Sequence, residues 1–356
     1  MVDQITKIYF KTIIQGRLEF GSAKSYDKLV KMFDSRAETY HKNDVIFTSD
    51  EIFDEEKLTL EIPRFVGQIT EKRFKNTIAL LAYSAQFAVT GSIRAWMSEA
   101  GKVMHYALME PDSDRAAVRS FLKGRKLVKE DGREQEAIDA LSKAIEKYDR
   151  HAQAYERRAK VVFRMQNYHD AKRDYTKSIN LDPTIPTSYY GRAKVHMIEE
   201  NWEEAIADFN QALKKSVALQ PVYWKARRHK AACHLKLKQL TEAEFDLKLY
   251  SNRKFAADDI NSKYKGWALF NFAKLLMERE EYVDAIAALD KALALEDDVR
   301  REVTVGEILR TRSIIKKRAG KSGHVKDLKA AAEAGDALAV KMLNTKTPRA
   351  PRKKKA

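Results

Sequence analysis

The chain is poor in the residues that build loops and covalent cross-links. Its 356 residues include one cysteine, Cys233, which excludes an internal disulfide framework and suits a reducing compartment. Seven prolines and thirteen glycines are few for this length and favour regular secondary structure. The most apolar stretch, residues 78–89, is too short to span a membrane and contains Ser84 and Gln86. Because neither a signal peptide nor a membrane span is predicted, we expect a cytoplasmic protein without a membrane partner.

Positive charge is abundant and unevenly distributed along the chain. The formal net charge is +16 at pH 7, from 67 Lys and Arg residues against 51 Asp and Glu residues. Residues 1–110 are neutral, with fifteen residues of each sign, whereas residues 341–356 contain seven basic residues and no acid. The basic character therefore belongs to the chain beyond residue 110.

A 34-residue repeat occupies the middle of the chain, in segments that start at Ala152 and at Pro186. Small and aromatic residues recur in the two segments at equal offsets: Tyr155, Ala159, Ala171 and Tyr175, then Tyr189, Ala193, Ala205 and Phe209. These residue types and spacings resemble the tetratricopeptide-repeat (TPR) family. The resemblance implies pairs of antiparallel helices that approach each other at the small residues, with the later aromatic residue filling the gap to the next pair.

Weaker copies flank these two segments, and the resemblance covers residues 114–343 as about six repeats. Short insertions precede two of the later copies, around residues 216–222 and 253–263, and the last unit, residues 305–343, ends in a capping helix. Residues 344–356 combine Lys and Arg with proline and are expected to form a disordered basic tail. The predicted fold is mainly α: a superhelical TPR solenoid preceded by a small α+β domain.

Residues 1–110 contain no repeat and resemble no family that we recognise. Stretches rich in β-branched and aromatic residues predict strands, and apolar residues on one face predict two helices. Pro63 suggests that its strand ends near a sheet edge. The order of elements predicts helices on one face of a mainly antiparallel sheet. The predicted strands cover residues 5–14, 18–20, 44–49, 57–64, 92–97 and 102–109, and the predicted helices cover residues 22–40 and 71–89.

Basic residues recur at the positions that TPR proteins turn toward the concave face. They are Arg125, Lys129, Lys160, Arg164, Lys194, Lys225, Arg228, Lys236 and Lys274. Apolar residues alternate with them: Phe163, Tyr190, Met197, Trp267 and Phe270. Such a groove suits an extended acidic segment of a partner protein, because charge steers the encounter and the apolar side chains supply affinity. The alternative is that these lysines are ordinary solvated helix surface.

Comparison with chaperone-binding TPR proteins excludes one class of ligand, and the basic tail suggests another. TPR proteins that bind chaperones hold a carboxylate with two asparagines beside lysines and an arginine, and this chain has no asparagine at the corresponding places, so an Hsp90-type ligand is not expected. The tail can neutralise phosphates in a salt-sensitive manner, which makes an RNA- or ribosome-associated factor the alternative function. The tail residues concerned are Arg349, Arg352, Lys353, Lys354 and Lys355.

Signs of catalysis are weak. Residues 319–323 resemble the end of a phosphate-binding loop, but Ile315 stands where that motif requires its first glycine. No cofactor or metal site and no nucleophile with a base is predicted. We therefore predict an adaptor or assembly scaffold and not an enzyme. Its solenoid would hold one protein, and its N-terminal domain would hold another or self-associate.

Overall fold

The computed structural model describes residues 8–344, apart from the side chains of residues 298 and 299. The chain divides into two compact units, residues 1–195 and residues 196–356. The first unit contains the N-terminal sheet and the first helices of the repeat region, and the second contains the remaining helices.

A five-stranded antiparallel sheet forms the N-terminal region. Its strand order is β2-β3-β1-β4-β5, and the last two strands form an antiparallel hairpin. The strands are β1 (Tyr9–Glu19), β2 (Phe53–Asp54), β3 (Thr59–Thr70), β4 (Thr90–Glu99) and β5 (Lys102–Met109).

Three helices accompany the sheet: α1 (Ala23–His41), α2 (Ser49–Ile52) and α3 (Glu71–Ala85). Ser22 caps α1, since its Oγ accepts a hydrogen bond from the Ser25 backbone N–H at 3.3 Å. Phe33 of α1 and Leu81 of α3 are buried in one core with Ile14 of β1. The predicted α+β arrangement is therefore confirmed, although α3 ends four residues before residue 89.

The strand predicted at residues 44–49 is wrong. The backbone of this segment bonds to α3 and not to a neighbouring strand: Ile46 N donates to Thr77 Oγ1 at 2.9 Å, and Arg73 Nε donates to Val45 O at 2.9 Å. Because side chains of α3 satisfy these groups, the apolar run packs into the core without strand pairing.

The strands predicted at residues 5–14 and 18–20 are one strand from residue 9 to residue 19, and residues 5–7 lie outside the described residues. The apparent break lies where the pairing with β3 shifts register between Ile14 and Gly16: Pro63 and Arg64 of β3 both lie opposite Gln15, which makes a β-bulge in β3. Gly16 has a φ of +144°, and a Cβ there would lie 2.1 Å from Ser92 O. The short strand β2 pairs with Thr59 and Leu60 alone, so β3 lies at the sheet edge at Pro63, as predicted. The strand does not end there, because it begins at Thr59 and continues to Thr70.

The repeat region consists of paired helices with the predicted period. Helices α6 and α8 begin 34 residues apart and have equal length, as do α7 and α9. The six predicted pairs and the capping helix α17 are all present, and α14 is an additional short helix. The helices are α4 (Ala116–Leu127), α5 (Glu134–Lys147), α6 (Ala152–Arg164), α7 (Tyr168–Leu181), α8 (Pro186–Ile198), α9 (Trp202–Lys215), α10 (Pro221–Lys236), α11 (Leu240–Asn252), α12 (Lys265–Glu278), α13 (Tyr282–Leu293), α14 (Asp297–Arg300), α15 (Val305–Arg318), α16 (His324–Glu333) and α17 (Ala337–Asn344).

Small residues make the helix contacts of the repeats, as the sequence predicts. The four alanines of the two clearest repeats have no exposed surface: Ala159, Ala171, Ala193 and Ala205. The Tyr175 ring fills the gap to α8, where a Cβ on Gly191 would lie 2.2 Å from Tyr175 Cζ. The aromatic residue and the glycine therefore fit each other as a pair.

Within the first unit, the sheet is bonded to the loop between α5 and α6. The buried Glu19 carboxylate accepts hydrogen bonds from Tyr148 Oη and from Arg150 Nε, each at 2.7 Å. Thr90 Oγ1 of β4 lies 3.0 Å from His151 Nδ1. The predicted domain limits, residues 1–110 and 114–343, remain a prediction, and these polar contacts cross the boundary between them.

Candidate functional site

The predicted groove residues of the first unit include a cation held against an aromatic ring. Lys194 Nζ of α8 lies 4.0 Å from the centroid of Phe163, a residue of α6. The Phe163 ring in turn meets Tyr168 edge to face, with centroids 5.4 Å apart. Lys160 is exposed on the same helix as Phe163, and Tyr190 is half-buried. An aromatic face stabilises the ammonium group without neutralising its charge.

Two other predicted cations of this unit form ion pairs. Arg125 Nη1 lies 2.5 Å from a Glu110 carboxylate oxygen, and Arg164 Nη2 lies 3.6 Å from Glu134. Sequence reasoning did not count these acids near the groove, because both lie outside the first helices of the repeats. Lys129 is exposed just beyond α4.

The second unit contains a guanidinium between aromatic rings. Arg228 of α10 lies over the Tyr264 ring at 3.7 Å and over the Trp267 ring at 6.0 Å. Glu302 approaches the same guanidinium, with Nη1 3.6 Å from Oε1. Sequence reasoning missed Tyr264 and Glu302, which lie in the connections between helices and not at repeat positions.

Lys225 lies one turn before Arg228 on α10 and is half-buried. Burial lowers the pKa of the Lys225 ammonium, and the nearby positive charge of Arg228 lowers it further. The carboxylate of Asp259 opposes this change. The acid comes from the predicted insertion at residues 253–263, which therefore supplies negative charge to the basic face of α10.

Two exposed lysines complete the predicted cations of the second unit. Lys236 Nζ and Lys274 Nζ each lie 5.8 Å from an aromatic centroid, that of Trp202 and that of Phe270 respectively. Met197, also predicted in the groove, is half-buried. The cation-over-ring arrangement thus recurs within each unit.

Other kinds of site are not visible in the part of the chain that the structure describes. Between residues 8 and 344, no group of three or more His, Cys, Asp or Glu side chains is arranged to hold a metal ion. The helices in this range are too short or too polar to cross a bilayer. The predicted tail residues 349 and 352–355 lie outside the described residues.

Comparison with known proteins identifies the repeats. A family model described as the tetratricopeptide repeat matches residues 157–216 and 190–253. A stretch of 79 residues is 33% identical to serine/threonine-protein phosphatase T of Aspergillus oryzae (strain ATCC 42149 / RIB 40). This match covers 22% of the chain and 16% of the phosphatase, so the chain spans well under two thirds of that relative.

Two solved structures are similar at low identity. YrrB, described as a TPR protein with an unusual peptide-binding site, is 19% identical with a TM-score of 0.47; the match covers 58% of this chain and 98% of YrrB. PilF of Pseudomonas aeruginosa is 18% identical with a TM-score of 0.48; the match covers 66% of this chain and 94% of PilF.

The family model and the structure agree on the same segment of the chain. Paired helices with a 34-residue period and buried alanines occupy the matched residues, and further helix pairs precede and follow them. Residues 157–253 therefore contain tetratricopeptide repeats.

Proposed function

We propose that the protein is an adaptor or assembly scaffold that binds an acidic, extended segment of a partner protein along the first helices of its repeats. Tetratricopeptide repeats are in general protein-interaction modules. The observation that supports the acidic ligand is that cations on these helices repeatedly lie over aromatic rings. The shortest of these pairs are Lys194 over Phe163 and Arg228 over Tyr264.

Such pairs favour a ligand that carries carboxylates beside apolar side chains. The aromatic ring holds the cation in place but does not neutralise its charge, so the cation remains able to attract a carboxylate. The exposed part of the ring accepts an apolar side chain of the same ligand. Because backbone and side-chain contacts would spread over several repeats, the segment must be extended.

The experiment reverses two charges of the first unit. A labelled peptide of repeating Glu-Glu-Leu is titrated against the full chain, with a Gln-Gln-Leu peptide as the charge control. Lys160→Glu combined with Lys194→Glu should weaken binding of the acidic peptide about tenfold or more, because attraction becomes repulsion. A matched control, Lys143→Glu with Lys177→Glu, makes the same charge change at exposed positions of the second helices α5 and α7 and should leave binding nearly intact.

Two results would contradict the proposal. Equal weakening by both double variants would mean that net charge and not the groove attracts the peptide. Equal binding of the Glu and Gln peptides would exclude carboxylate recognition. A labelled single-stranded RNA is titrated in parallel at two salt concentrations, because phosphate contacts weaken steeply with salt. Tight, strongly salt-dependent RNA binding without peptide binding would favour the RNA- or ribosome-associated alternative.

A further inference from the structure

Residues 294–304, which connect α13 to α15 (the connector), are folded onto α12. Arg300 donates hydrogen bonds to the carbonyl oxygens of Leu293, at 3.0 Å, and Leu295. Its backbone lies against the first turn of α12, where a Cβ on Gly266 would lie 2.8 Å from Arg300 Cα. The connector therefore has a defined position over the start of α12.

This position brings Glu302 of the connector to Arg228. The Arg228 side chain is 12% exposed and the Glu302 side chain is 43% exposed, so the carboxylate is the more solvent-accessible partner of this ion pair. Within the residues that the structure describes, Arg228 Nε is buried and has no hydrogen-bond partner. The guanidinium is thus already in contact with a carboxylate but is not fully satisfied by it.

We infer that the connector is an internal competitor, whose Glu302 occupies on Arg228 the place that a carboxylate of the acidic partner would take. The inference rests on the proposed function and adds a regulatory step to it. A single, partly exposed ion pair is weak, so a partner with several contacts is able to displace it. Binding at this site therefore requires the connector to move, which lowers the apparent affinity for short acidic ligands.

The test removes the internal carboxylate from the full chain. Glu302→Gln keeps the size of the side chain, and we expect it to bind the Glu-Glu-Leu peptide about two- to fivefold more tightly than the wild type, the range of one exposed ion pair. Glu296→Gln is the matched control, because Glu296 is exposed in the same connector and carries the same charge. It should bind like the wild type.

Hydrogen–deuterium exchange supplies a second readout. Saturating peptide should speed exchange of residues 296–304 in the wild type, because the connector is displaced. Arg228→Gln should speed exchange there without any peptide. Equal affinity of the wild type, Glu302→Gln and Glu296→Gln, or slower exchange in the connector on binding, overturns the inference and leaves the proposed function standing. Absence of peptide binding in all three proteins overturns the proposed function and the inference together.

Discussion

The sheet domain and the repeats bury different kinds of side chain. The sheet domain fills its core with large residues from distant parts of the chain, such as Phe20, Phe33, Leu81 and Met97. The repeats bring neighbouring helices together at buried alanines, whose equivalent positions are 34 residues apart in the two clearest repeats. The sheet domain depends on large side chains that fill its core, and the repeats depend on small side chains that allow the helices to approach. We therefore expect truncation of a side chain to destabilise the sheet domain most and enlargement of a side chain to destabilise the repeats.

Truncation in the sheet domain should have the largest effect on stability. Phe33 is 2% exposed, and its ring meets Phe53 edge to face with centroids 5.3 Å apart. Phe33→Ala should lower the free energy of unfolding by about 3–5 kcal/mol, because it leaves a cavity. Chemical denaturation measures the loss. Phe245→Ala, at a ring that is 61% exposed on α11, is the control and should cost much less. Similar losses for both would contradict the packing described for the sheet domain.

Enlargement in the repeats should have the next largest effect. Ala171 of α7 has no exposed surface and packs with Ala159 and Tyr175. Ala171→Leu should lower the free energy of unfolding by about 1–3 kcal/mol, as measured by chemical denaturation, because the added atoms force α6 and α7 apart. Ala116→Leu adds the same atoms at an exposed position in the first turn of α4 and should be nearly neutral. If the two variants melt alike, the comparison between the cores fails for the repeats.

The same difference explains how much the sequence predicts. In the repeats, each contact joins positions with fixed offsets, so Ala171, Ala205 and the helix boundaries follow from the period alone. In the sheet domain, strand identity depends on partners far away in sequence. Residues 44–49 have strand-like composition, yet Arg73 and Thr77 of α3 bond their backbone and exclude them from the sheet.

The candidate site is predictable to a similar, partial extent. Positions within the repeats indicated Lys194, Phe163, Arg228 and Trp267 as groove residues, and their cation-over-ring contacts could be anticipated from offsets. Glu302 could not, because the path of the connection between α13 and α15 has no fixed register. Connections between repeats are thus the part of the chain that sequence offsets do not predict, and Glu302 lies in one of them.

The junction between the two regions contains a histidine whose protonation opposes folding. His151 has no exposed surface, and its Nδ1 accepts a hydrogen bond from the Ala154 backbone N–H at 3.3 Å as the cap of α6. The Phe121 ring lies against it, with centroids 4.6 Å apart. Burial lowers the pKa of His151 from 6.5 to about 3. The imidazole is therefore neutral in the folded protein at every pH above about 3.

The smallest expected effect is a pH dependence of the free energy of unfolding that arises from His151, where the sheet domain meets the repeats. Below pH 6.5 the unfolded chain binds a proton at His151 that the folded chain does not, so acid favours unfolding, and the stability held at neutral pH falls as the pH approaches about 3. Between about pH 7 and pH 5.5, protonation of His151 in the unfolded chain should lower the free energy of unfolding by about 1 kcal/mol. His151→Asn keeps a side chain that caps the helix but does not titrate, so its free energy of unfolding should fall less over that interval.

Denaturation at both pH values measures the change in the free energy of unfolding of each protein, and the difference between the two proteins cancels the contribution of other titrating groups. Equal slopes for the wild type and His151→Asn would mean that the junction opens to water before the protein unfolds, which would contradict the coupling of the two regions at His151.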